Sequence, residues 1–365
     1  MLLGGKKSLV FMTLGLVAFI LYLWFFVGFD GLFTLLSKLN AYQYSLFFSL
    51  AIVALFLGVF FDSMVWHSLL DSLSVKIKAR KIFQLNWIGN FIELIIPSAT
   101  VGGEVARTVL AQKETNVDAG TSAATVIGSR LISTFVYSGG LLVAFITLLF
   151  SGQLPIYLVT PVVLVILGTF GVVGAVLVIA LKQNAVDKIV NAVVWFSKRF
   201  IKNPAKLLNL QEKLYNSLSS FGEVFKTFKA NPRYLLKPVL FAVASWIFNL
   251  IVYLMVFYAL DFTVISILDL ATMYCIITTV ETVTAGFPVG AVEVTMVSVF
   301  SMFGVPLAVA GAVTTFSRLL TFWSQVIVGY PLVQWAGAKA LLKKPSILNL
   351  PLANISNQHS TKALQ

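Results

Sequence analysis

Seven ionisable side chains stand within stretches of this chain that are otherwise apolar: Glu93, Glu104, Arg107 and Arg130 in the first half, and Glu281, Glu293 and Arg318 in the second. A charge at the centre of a bilayer costs at least ~2.5–3.5 kcal/mol on insertion scales, so buried charges there face one another or a wet cavity. A glutamate beside an arginine stays ionised in such a place. Arginines joined by helix N-termini, which carry partial positive charge, suit a phosphate or another anionic headgroup. The chemistry expected of these residues is therefore recognition of an anion by Arg107, Arg130 and Arg318. Glu104 and Glu293 pair with the arginines and are placed to select an amine; Glu93 and Glu281 occupy matching places upstream.

The seven residues fall into a pattern that occurs twice. The first half reads Pro97…Gly102-Gly103-Glu104 and then Ser129-Arg130-Leu131; the second reads Pro288-Val289-Gly290-Ala291-Val292-Glu293 and then Ser317-Arg318-Leu319. Twenty-six residues separate glutamate from arginine in one copy and twenty-five in the other. Glu93 and Glu281 lie four and seven residues before their prolines. Pro and Gly interrupt a helix at both places, because Pro lacks an N–H and Gly costs backbone entropy. Broken helices in two related halves are a transporter signature, with the site near mid-membrane.

The elements that must position these groups are membrane helices. Of 365 residues, 59% are hydrophobic and 11% charged, and the mean hydropathy is +0.93. Soluble domains carry about 25% charge. Apolar runs long enough to cross a bilayer core are Leu9–Val27, Tyr44–Phe61, Ser129–Phe150, Ile156–Leu181, Val239–Leu260, Val264–Val280 and Val305–Val333. The first is read as a retained helix, since it is long for a signal peptide and no A-x-A-like site follows. Residues 82–112 carry lysine on both flanks and are read as a hairpin that dips in from the cytoplasm. The segment 264–303 is read as a second hairpin entering from the opposite side, with its break at Pro288–Glu293. Residues 182–237 hold eleven Lys/Arg against three acids, and Leu207, Leu210, Leu214, Leu218, Phe221, Phe225 and Phe228 recur at helical spacing. That stretch is an amphipathic helix, lying on the anionic cytoplasmic surface or packed under the bundle as an elbow.

The fold class expected is an all-α integral membrane protein: six full spans plus two re-entrant broken hairpins arranged as an inverted repeat. The positive-inside rule places both termini in the cytoplasm, and the cell membrane is the expected location. A single polytopic domain covers 1–345, with repeat 1 at about 44–181, the basic connector at about 182–237 and repeat 2 at about 238–338. A polar cytoplasmic tail follows at 346–365.

Several functions are disfavoured. The net charge of +12 reads as topology rather than nucleic-acid binding. Cys275 is the only cysteine and His67 and His359 the only histidines, so no Cys/His zinc cluster is expected. Gly4-Gly5-Lys6-Lys7-Ser8 lacks the spacing of a phosphate loop. No cofactor and no nucleotide site is called for. Asp62, His67 and Asp71 lie toward a helix end and are read as structural.

At these residues the chain resembles a known family. The run Asn90…Pro97…Gly102-Gly103-Glu104-x-x-Arg107, followed by Arg130, resembles the lysylphosphatidylglycerol synthase transmembrane region, the flippase-like domain of the multiple peptide resistance factor. So does Phe287-Pro288-Val289-Gly290-Ala291-Val292-Glu293 followed by Arg318, although the family's usual glycine pair is diluted there. The resemblance covers roughly residues 8–338. It implies movement of a lipid between leaflets. In two-domain relatives the lipid is an aminoacylated phosphatidylglycerol and a soluble synthase domain follows. This chain stops at 365, so a stand-alone flippase-like protein is expected, with polyprenyl-phosphate-linked sugars among the substrates open to it.

The leading reading is thus a lipid flippase or scramblase, a transporter rather than an enzyme, with membrane lipids as partners. Its substrate-binding set is Arg130, Arg318, Arg107, Glu104, Glu293, Gly102, Gly103, Gly290, Glu93 and Glu281. Two other readings remain: a non-transporting scaffold that tethers a lipid-modifying enzyme or glycosyltransferase, and a membrane-embedded transferase on a lipid-linked substrate using paired carboxylates as acid and base.

Overall fold

The computed structural model describes residues 39–95, 101–150, 156–199, 203–283 and 288–342, together with Trp24, Thr34 and Ser37. The expected first span, the Pro97 break, the turn at Ser151–Pro155, Phe287 and the polar tail lie outside the described residues. The described residues are largely helical, with no strand among them, as the apolar runs require.

Twelve α-helices are described: α1 Ala41–Ser72, α2 Ala79–Ile95, α3 Val101–Thr115, α4 Ala119–Phe150, α5 Ile156–Leu181, α6 Gln183–Ser197, α7 Pro204–Ala230, α8 Leu236–Ala259, α9 Ile267–Val283, α10 Pro288–Met302, α11 Leu307–Arg318 and α12 Ser324–Leu342. The segments Ala41–Ser72, Ala119–Thr147 and Pro232–Ala259 are long and apolar enough to cross a membrane, and Ile166–Val178 and Val292–Met302 are shorter apolar stretches. Local chemistry sets several ends. The Asn40 side chain accepts from Tyr42 N and Gln43 N to start α1. Four helices close on a residue with positive φ, namely Ser74, Asn116, Asp261 and Gly304. Each closure adds a bond back to the last turn, Val75 N to Leu70 O, Asn116 N to Gln112 O, Phe262 N to Phe257 O and Val305 N to Phe300 O.

The centre of the bundle is the pairing of α1 with α8, the most extensive helix contact in the fold. Gln43 donates to Asp261 (3.2 Å) near the start of α1. Ser245 Oγ donates to Gly58 O (3.0 Å) midway, and the Phe61 ring lies 6.1 Å from that of Phe241 beyond it. Numbers rise along α1 as they fall along α8, so the two helices are antiparallel. A large apolar core spreads from this pair to α4, α5, α9, α10 and α11.

Two short-armed hairpins flank the pair. Lys81 and Glu114 pair at the far end of α2 and α3 (2.7 Å), while Gly103 meets Gly89 nearer the tip, so these arms run antiparallel. A fifteen-residue arm is about 22 Å long, short of a ~30 Å bilayer core. The packing of the hairpins is exchanged between the halves: α2 packs on α12, and α9 packs on α4.

Three expectations need correcting. The stretch Pro288–Glu293, expected as a break, is helical; proline is tolerated in a first helical turn, where its missing N–H is not needed. The 305–333 span is divided by a π turn at Leu319–Trp323, directly after Arg318. The connector contains a further helix, α6, whose Val186, Val190 and Val194 pack on Leu207, Leu214 and Leu218 of α7. The second half of α7 is an elbow, with Val224, Phe225 and Phe228 buried against Leu69, Ala124 and Ala180.

Candidate functional site

Each hairpin meets one arginine from the following helix, and the contacts are the same in both halves. Arg130 on α4 donates through Nε to Glu104 Oε1 (2.9 Å) and through Nη2 to Glu93 (3.0 and 2.9 Å). Arg318, at the end of α11, donates through Nε to Glu293 Oε1 (2.8 Å) and through Nη1 to Glu281 Oε1 (2.8 Å). The spacing from first glutamate to arginine is 37 residues in both copies. Each arginine therefore clamps the two arms of one hairpin together. Charge-assisted bonds of this length are about twice as strong as neutral ones.

The halves differ in two respects. In the first, Arg107 adds a second guanidinium, 3.0 Å from Glu104 and 3.7 Å from Glu93. It also donates to Asn86 Oδ1 (3.0 Å) and to Asn90 Oδ1. At the corresponding step after Glu293 stands Met296, which is fully buried. The halves also differ in exposure. The Arg130 side chain is 45% exposed, whereas that of Arg318 is 2% exposed and its guanidinium lies 4.7 Å over the Phe322 ring. The arginine is open in the first clamp and enclosed in the second, where the exposed partner is Glu281 at 40%.

The glycines of the expected set divide by position. Gly103 sits at the arm crossing: a Cβ there would lie 2.8 Å from Gly89 O and 2.9 Å from Glu93 Cβ. Gly89 gives the same clearance to Arg107, whose Nε would be 2.5 Å from an added Cβ. Gly102 and Gly290 fall in the first turns of α3 and α10. Glu104, also in the first turn of α3, faces the positive end of its helix.

Sequence reasoning gave the arginines a phosphate-binding role, and the geometry shows them paired with carboxylates. It also placed Asp62 toward a helix end. Asp62 lies well inside α1 and belongs to the first network: it accepts from Asn86 Nδ2 (2.9 Å) and from Ser133 Oγ (3.5 Å). Asn86 and Asn90 were visible as polar residues in an apolar arm. That signal finds them; it does not say that both hold Arg107.

Comparison with known proteins agrees with this frame. The profile of the lysylphosphatidylglycerol synthase TM region matches residues 12–329. The chain belongs to this family. Similar proteins include a UPF0104 membrane protein of Pyrococcus horikoshii, 26% identical over 79% of this chain and 86% of its own length. Another, from Methanocaldococcus jannaschii, is 26% identical over 89% of this chain and 93% of its own length. A third, from Methanothermobacter thermautotrophicus, is 24% identical over 79% and 85%. No solved structure matches. Family membership makes this a membrane protein, and a lipid-related role is plausible for it. Both clamps fall within the matched residues.

Proposed function

We propose that this protein is a flippase- or scramblase-like transporter, moving an anionic or phosphate-containing lipid between leaflets through a polar path beside the two clamps. One observation carries the reading. Arg130 uses Nε and Nη2 on its carboxylates, and its half-exposed side chain keeps Nη1 with no bond among the described residues. That amino group is positioned to donate to a headgroup phosphate while the acyl tails stay in lipid. Planar guanidinium donors suit phosphate oxygens.

The architecture supports the same reading. The repeated clamp makes α1 and α8 counterparts, and counterparts packed antiparallel describe an inverted repeat. An arginine open in one half and enclosed in the other is the asymmetry expected of a path that opens to one side at a time. The topology we propose keeps six full spans, two re-entrant hairpins and cytoplasmic termini in the cell membrane. The expected domain limits and the absence of an enzymatic reaction remain part of the proposal.

A second reading draws on the saturation of the arginines. Clamps already neutralised by carboxylates are sufficient to lock the hairpins, and the protein would then be a scaffold presenting α6 and α7 to a lipid-modifying enzyme or glycosyltransferase. Headgroup translocation in proteoliposomes separates the two. A transporter moves at least one of a set of fluorescent anionic, zwitterionic or polyprenyl-phosphate lipids, and Arg130→Ala abolishes the movement. A scaffold moves none.

A further inference from the structure

We infer that the junction of α5, α6 and α7 holds an anionic phospholipid, the phosphate of its headgroup seated between Lys182 and Lys226. The site is separate from both clamps and does not depend on the transport reading. A half-open hollow of about 300 Å³, its mouth included, lies at this junction. Lys182, the one-residue link between α5 and α6, lines it together with Tyr215, Ser219, Glu223 and Lys226 of α7. Two helices meet tightly beside these groups: a Cβ on Gly222 of α7 would lie 2.9 Å from Ala180 O of α5.

The lining carries a surplus of positive charge. Glu223 takes Lys226 at 2.7 Å, and among the described residues no ion pair reaches Lys182. Two cations thus face one carboxylate, and a phosphodiester brings the single negative charge that balances them. Tyr215 and Ser219 add hydroxyls able to donate to phosphate oxygens. The first turn of α6 borders the same hollow through Lys182 and Val186, and no side chain caps it. Its N–H groups add partial positive charge to that rim.

The surroundings select a lipid over a soluble phosphate. α5 is an apolar helix of 26 residues, and its last turns expose Leu177 and Val178 just before the hollow. Acyl chains therefore have an apolar wall leading to the headgroup position. On α6, Val186, Val190 and Val194 face α7, which leaves Trp195 76% and Phe196 60% exposed. The exposed Lys198 and Arg199 follow them. Aromatic side chains with adjacent cations mark a helix lying in the membrane interface. The one-residue link holds the start of α6 level with the end of α5, so the hollow sits at headgroup depth. Basic pockets between helices on the cytoplasmic side suit anionic headgroups, and the whole 182–237 connector carries eleven Lys/Arg against three acids.

The test is native mass spectrometry of the full chain in a neutral detergent, in an Arg130→Ala background that removes the clamp from the readout. Phosphatidylglycerol should be retained several-fold more tightly than phosphatidylcholine. Lys182→Gln should weaken its retention about fivefold, the effect of one cation at the membrane surface. Glu223→Gln should strengthen it by a similar factor, because Lys226 is released to the phosphate. Lys206→Gln, which removes an exposed lysine at the other end of α7, should leave it unchanged. Each variant should elute as a folded species. Equal retention of the two lipids, or equal weakening by Lys182→Gln and Lys206→Gln, overturns the inference. Displacement of phosphatidylglycerol by inorganic phosphate at equal concentration overturns the assignment to a lipid. Retention in the wild type that is absent in Arg130→Ala places the lipid at the clamp and overturns the inference as well.

Discussion

Removing Arg318 should cost more stability than removing Arg130, although the two residues are counterparts. Arg318 is 2% exposed and is bonded at 2.8 Å to Glu293, itself 5% exposed, and at 2.8 Å to Glu281. Arg318→Ala leaves a buried carboxylate whose cation is gone, and breaking a buried pair this way costs ~3–5 kcal/mol. Arg130 is 45% exposed, and both of its glutamates retain Arg107. Its loss leaves both glutamates sharing one guanidinium in a half-exposed site, so it costs more than the ~1 kcal/mol of a surface pair and less than the loss of Arg318. The assay is thermal unfolding of the purified protein in detergent. Arg318→Ala should lower the midpoint by roughly 5–15 °C, and Arg130→Ala by less. Arg318→Met combined with Glu281→Gln and Glu293→Gln should recover much of the loss, because uncharged side chains of similar volume replace a buried ion set at little cost. Equal midpoints for the two single variants would refute the reasoning from burial and backup pairing.

Other outcomes follow from the same geometry. Gly103→Leu should separate α2 from α3 and abolish transport while the chain still inserts, since the added side chain meets Gly89 O and Glu93; retained transport would show that the crossing tolerates bulk. Asp118, at the start of α4, is raised by partial burial but lowered more by Thr121, whose N–H and hydroxyl donate at 3.0 and 2.6 Å, so its net pKa lies below the ordinary carboxylate value. Its capping contribution is therefore present above the unfolded pKa and fades as pH falls through the lowered folded pKa. Thermal midpoints of the wild type and Asp118→Asn should converge in acid and differ at neutral pH. Single cysteines at Ser197 and Asp261, in a Cys275→Ala background, should label from the cytoplasmic and outer sides respectively; the reverse pattern overturns the proposed orientation.

Much of this architecture is legible in the sequence because a bilayer leaves few options. Long apolar runs must be helices, and charges within them must meet partners, which singled out Glu93, Glu104, Arg130, Glu281, Glu293 and Arg318 and paired Glu104 and Glu293 with the arginines. What the spacing did not reveal was stoichiometry. Two glutamates converge on one arginine, a three-dimensional fact that no linear interval contains. Asp62 was missed for a related reason. Its partners Asn86 and Ser133 lie on two other helices, and proximity to the Asp71 end of the same run suggested an interfacial role. The start of α10 was misplaced because Pro288 and Gly290 look like breakers wherever they occur, whereas a first turn accepts both. The helix α6 escaped notice because its Val186-Val190-Val194 stripe is short and gains its meaning only against Leu207, Leu214 and Leu218 of the next helix.

The central claim is that the open clamp at Arg130 handles a lipid headgroup, and leaflet-to-leaflet movement in proteoliposomes tests it most directly. Wild type, Arg130→Ala and Arg130→Lys would be compared with fluorescent anionic, zwitterionic and polyprenyl-phosphate lipids. The account predicts that the wild type moves at least one phosphate-bearing lipid, that Arg130→Ala loses this while remaining folded, and that Arg130→Lys recovers only part, having no planar fork to hold Glu93, Glu104 and a phosphate together. Undiminished movement in Arg130→Ala would contradict it.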